Sequence, residues 1–68
     1  MTMQDILSLR AGRDFAEMAA RFLNGEVTLR DICEARKKLV RIACNVFAAY
    51  EFEVQPAVRE LEKSCGLL

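Results

Sequence analysis

Residues 28–54, TLRDICEARKKLVRIACNVFAAYEFEV, form the longest uninterrupted helical pattern in the chain. Thr28 offers a hydroxyl cap, and Asp31 falls at the third helical position, in the positive end of the helix dipole. Val27 and Ile32 have the spacing of a hydrophobic staple. Neither glycine nor proline interrupts the run before Pro56. Its length therefore predicts one long helix of about 26 residues, roughly 39 Å. One apolar seam runs Ile32, Ala35, Leu39, Ile42, Val46, Ala49, with steps of three and four as in a coiled coil. A second begins partway along: Val40, Ala43 or Cys44, Phe47, Tyr50, Val54. The run is thus amphipathic at first and apolar nearly all round from Leu39 onward. A helix of the second kind must be buried on more than one side.

The segment before it is shorter. Asp14 and Glu17 have the spacing of a capping box, with Asp in place of Ser or Thr. Phe15, Met18, Ala19, Phe22 and Leu23 then mark one helical face. Asn24-Gly25 supplies a left-handed stop. These signals predict a helix over 14–24. Residues 1–12 read as a short N-terminal helix capped by Thr2, with Asp5 three residues on, and ended by Gly12. Beyond the long run, Pro56 has no N–H and clashes with a preceding turn, so it reads as the first residue of a new helix, the alternative being a kinked continuation of the long one. Ala57, Val58, Leu61 and Cys65 form its stripe, and Gly66 ends it, giving a short helix over 56–65.

The chain has 68 residues, of which 53% are hydrophobic. Such a chain is a single domain too apolar to be disordered. A domain this small hides only about 60% of the surface its unfolded chain exposes. Surplus apolar surface then points to an interface. Ten Lys and Arg balance ten Asp and Glu, so no bulk positive charge holds a nucleic acid by its phosphates alone. No apolar stretch is long enough to span a membrane. The three cysteines, with no signal peptide visible, predict free thiols in a reducing cytoplasm. Cys33 and Cys44, three helical turns apart, read as small buried hydrophobes, and Cys65 as lying near the surface.

Chemistry is scarce. Histidine, the commonest general base and metal ligand, is absent. No CxxC pair or glycine-rich phosphate loop occurs. Glu51 and Glu53 are two apart and do not face one another on a helix. The turn Leu23-Asn24-Gly25-Glu26 has some likeness to half a calcium loop. With Gly25 as the central glycine, however, the first and third ligand positions are Ala20 and Phe22, which have no side-chain oxygen. The same turn could join a helix-turn-helix. Arg21 stands where that motif wants a small residue, and Asp31 where its second helix meets DNA. No catalytic, cofactor or metal-binding residues are therefore expected.

Two features remain. Arg36, Lys37, Lys38 and Arg41 form the one basic cluster, on a face where Glu34 and Lys38 have favourable i,i+4 spacing. Phe47, Tyr50 and Phe52 gather near Pro56, and exposed aromatics dominate protein interfaces. The helical-hairpin plan and length resemble those of small plasmid- and phage-encoded regulators, including Rop-type RNA-binding hairpin dimers. The resemblance is one of plan and carries over no residues.

The reading is an all-α hairpin or small bundle with one long central helix, completed by homodimerisation. The expected dimer or partner interface is Leu39, Ile42, Val46, Phe47, Tyr50 and Phe52. The expected function is non-enzymatic: a regulator that binds a partner protein through a helical surface. The alternative is a dimeric nucleic-acid-binding regulator that pairs the 36–41 clusters of two chains.

Overall fold

A computed structural model describes all residues, Met1–Leu68. It contains four helices: α1 (Met3–Leu7), α2 (Arg10–Leu23), α3 (Leu29–Phe47) and α4 (Glu51–Ser64). No strand is present.

The chain starts with the expected cap. The backbone N–H of Thr2 donates to Asp5 Oδ2 at 2.8 Å. α1 is only five residues long, and Gly12 does not end it. Gly12 lies in the first turn of α2, buried. A Cβ there would stand 2.0 Å from the Ile6 carbonyl oxygen. Glycine is thus required for the close approach of two backbones rather than for a helix stop. α2 begins four residues before the expected Asp14 cap, and Asp14 lies within it. Arg13 joins the two helices, its Nη1 donating to the carbonyls of Leu7 (3.0 Å) and Ser8 (3.1 Å). Those carbonyls lie at the C-terminal end of α1, where intrahelical donors run out.

The turn between α2 and α3 forms as the sequence specifies. Gly25 takes φ 76°. Glu26 N–H donates to the Arg21 carbonyl at 2.9 Å and Gly25 N–H to that of Phe22 at 3.0 Å, a complete Schellman motif. Thr28 caps α3: its N–H donates to Asp31 Oδ2 at 2.8 Å, and its Oγ1 accepts from the Asp31 N–H at 3.3 Å.

The long helix over 28–54 is not formed. α3 stops at Phe47, Ala48 turns into the left-handed region at φ 49°, and α4 starts at Glu51 with Tyr50 as its cap residue. Burial accounts for the break. Folding back seats Val54, Val58 and Leu61 in the core, each at most 2% exposed. Burying a Val or Leu side chain contributes about 1.5–3 kcal/mol. A left-handed alanine costs roughly 1–2 kcal/mol, so the gain exceeds the strain. Pro56 does not start a helix either: it lies inside α4. Pro56 and Phe52, whose carbonyl would have accepted from a residue at 56, are both exposed. The missing donor therefore faces water. Gly66, at φ 83°, ends α4 as expected.

One core unites the helices: Ile6 from α1, Phe15 and Ala19 from α2, Ile32, Leu39, Val40 and Ala43 from α3, and Val54, Ala57, Val58 and Leu61 from α4. The radius of gyration is 11.1 Å, matching the value of about 11 Å for a compact chain of this length. Leu39, Val40, Ala43 and Val54, from the apolar half of the 28–54 run, are thus buried within the chain's own four-helix core.

Candidate functional site

The six residues expected at an interface divide by position on α3 and the corner after it. Leu39 is fully buried in the chain's own core and is withdrawn from the interface. Ile42 and Phe47 are half-buried, and Phe47 packs against that core. Val46, Tyr50 and Phe52 stand out from the surface at 58%, 72% and 74% exposed.

The break at Ala48 brings the aromatic pair together. Two residues spaced i,i+2 on one helix point apart. Tyr50 precedes α4 in an extended conformation, φ −81° and ψ 157°. Its ring therefore stacks on that of Phe52, with centroids 5.7 Å apart and planes inclined by 7°. Glu51 and Gln55 complete an open hollow with them.

Polar groups hold this corner from beneath. Glu53 accepts from the Tyr50 N–H at 3.3 Å. Gln55 Nε2 donates to Glu51 at 3.0 Å, and its Oε1 accepts from Arg36. Arg36 Nε also donates to Glu62 Oε1 at 2.9 Å, with the two side chains only 29% and 13% exposed. Arg36 is consequently a clasp between α3 and α4 and not part of a free basic surface. Its reach to a residue well down α4 shows that the two helices run back along one another.

Lys37, Lys38 and Arg41 are exposed and form no ion pair. The expected Glu34–Lys38 pair is not made. These cations border a groove of about 730 Å³ between α2 and α3, floored by Phe15, Met18, Ala35 and Leu39. Asp14, Glu17, Asp31 and Glu34 line the same groove, so the field there is mixed in sign.

Cys33 is exposed rather than buried, because the amphipathic half of α3 turns that face outward. Cys44 and Cys65 are half-buried. Burial pushes the Cys65 thiol above its ordinary value. All three thiols are free. No cluster of three Cys, Asp or Glu side chains is gathered to hold a metal ion. No helix is long and apolar enough to cross a membrane.

The aromatic corner is visible in the sequence as a cluster of residue types. Its stacking is not, because that depends on the break. At the opposite end, Leu23, Leu29 and Leu68 are exposed. Sequence reasoning missed them because Leu23 fits the apolar face of α2 and Leu29 opens an apolar-periodic helix. Comparison with known proteins adds no relative: no family model, curated protein or solved structure matches the chain.

Proposed function

We propose that this chain is a small non-enzymatic regulatory protein that binds a partner protein through the corner between α3 and α4. The observation that carries the reading is the exposed, stacked Tyr50–Phe52 pair beside exposed Val46. Large aromatic rings on a rigid scaffold supply contact area at little cost in side-chain freedom. Homodimerisation and a cytoplasmic setting belong to the same proposal, the latter in keeping with three free thiols.

The test compares wild type with a Tyr50→Ser, Phe52→Ser variant in affinity purification with mass spectrometry. Both side chains lie outside the core, so the variant keeps its helicity and melting temperature. The proposal expects a defined partner retained by wild type and depleted at least about tenfold with the variant, a loss of about 1.4 kcal/mol. Equal recovery of the same proteins by both would count against it.

The nucleic-acid reading rests on exposed Lys37, Lys38 and Arg41, free of ion pairs. It is weakened by the withdrawal of Arg36 and by the four carboxylates along the same groove. A salt titration separates the readings: phosphate contacts make affinity fall steeply with salt, whereas docking through aromatic rings leaves it nearly level.

A further inference from the structure

The corner that carries the aromatic pair is also a hinge. α3 and α4 are joined only by Ala48, Ala49 and Tyr50. No glycine, proline or asparagine marks this break, and alanine has the highest helix propensity of any residue. Ala48 is the only non-glycine residue at positive φ, a conformation that L residues with a Cβ resist. Local preference at residues 48–49 therefore favours a continuous helix, while the tertiary fold requires a break. A short hinge under such strain invites exchange of the element beyond it.

We propose that two copies of this chain exchange α4, straightening the hinge so that residues 29–64 become one helix of about 54 Å. The inference rests on the homodimerisation within the proposed function and names a second copy of the chain as the partner; straightening the hinge gives up the Tyr50–Phe52 stack of the single chain. Each α4 takes the seat on its neighbour's α1, α2 and α3 that it occupies in the single chain. Val54, Ala57, Val58 and Leu61 are buried again, and the Arg36–Glu62 clasp re-forms between copies. Nothing in the core is lost, and the strain at Ala48 is released twice. At the two-fold axis the straightened segments lie side by side. There Val46 and Tyr50, four residues apart, share one helical face. Side chains exposed in the single chain are covered in the exchanged pair.

The clasp makes the exchange testable. Arg36→Glu and Glu62→Arg each set like charges against one another within a chain. If α4 is exchanged, mixing the two variants pairs the introduced glutamate of one with the introduced arginine of the other, and restores Arg36–Glu62 at the second site. The two proteins are unfolded together in denaturant, refolded, and examined by native mass spectrometry and thermal melting. The inference expects a one-to-one heterodimer that melts above either variant alone. Absence of that species, or a mixture that melts as its components do, overturns it.

A second series does not depend on the clasp. Valine is worse than alanine in the left-handed region and glycine is better. Ala48→Val should tighten the monomer–dimer equilibrium and Ala48→Gly should loosen it, each by at least about tenfold, since two hinges change per dimer. Sedimentation equilibrium that finds the same mass distribution for both overturns the exchange even if the clasp variants fail to fold. Self-association lost in the Tyr50→Ser, Phe52→Ser variant without clasp rescue sinks the exchange but leaves the docking surface. Clasp rescue with self-association and partner binding unaffected by that variant does the reverse.

Discussion

The turn between α2 and α3 and the corner between α3 and α4 close on the same hydrogen bond. In the first, Glu26 N–H donates to the Arg21 carbonyl at 2.9 Å; in the second, Ala49 N–H donates to the Cys44 carbonyl at 3.1 Å. Both bonds span five residues, and both need one residue in the left-handed region. The turn places Gly25 there at φ 76°, between a helix-ending Asn24 and a capping Thr28. The corner places Ala48 there at φ 49°, between Phe47, which packs on the core, and a second alanine. One reversal is written locally. The other is imposed by what lies beyond it, because Val54, Val58 and Leu61 reach the core only if the chain turns.

The largest expected effect removes what both reversals share. Leu39 is fully buried among residues of all four helices and floors the groove against α2. Leu39→Ala should cost about 2–5 kcal/mol, and in chemical denaturation both hairpins should be lost in one transition. Two separate transitions would show that the hairpins are independent units.

Next comes Gly25→Val. Nothing lies within 4 Å of a Cβ at Gly25, so the cost is backbone strain alone. A β-branched side chain there should cost about 2 kcal/mol, a melting shift of roughly 10 °C for a domain this size. A shift near zero would remove the distinction between a coded turn and an imposed corner.

Thr28→Ala takes the cap from α3 and should cost about 1 kcal/mol. The same cap makes the turn acid-sensitive. Hydrogen bonds from the Thr28 backbone N–H and hydroxyl hold the Asp31 carboxyl below its ordinary value. Its folded pKa lies under its unfolded one, so the cap's stabilisation is complete above the unfolded value. It is lost as pH falls through the folded value. Asp31→Asn should flatten this part of the melting profile at acid pH; an unchanged profile would show that the cap contributes nothing.

Much of this molecule can be read in its sequence, and the failures share a cause. The Thr28–Asp31 cap, the Asn24-Gly25 stop and the Gly66 stop are statements about neighbours in the chain, and each forms. Gly12 misleads as a stop because its reason for being glycine lies on another helix, at the Ile6 carbonyl. Ala48 misleads because nothing nearby asks for a break, and Pro56 because α4 has already begun five residues earlier. The site divides the same way. Tyr50, Phe52 and Val46 read as interface residues and are exposed. Leu39 reads as an interface residue too and Arg36 as part of a basic patch, but the first lies in the chain's own core and Glu62 of α4 clasps the second. Once the long helix is broken, both reassignments follow.

The smallest substitution tests the central claim most directly, because its sign differs between the two structures. In a continuous helix over residues 28–54, Ala48→Gly would lower stability by about 1 kcal/mol, the usual cost of glycine in a helix interior. In a chain that turns at a left-handed residue 48, glycine relieves the strain and raises stability by up to about 1 kcal/mol. Denaturant melts of wild type and Ala48→Gly at a concentration where both are monomeric decide between them. A higher midpoint for the glycine variant is the result expected here, and a lower one would contradict the break on which the fold, the aromatic corner and the exchange all depend.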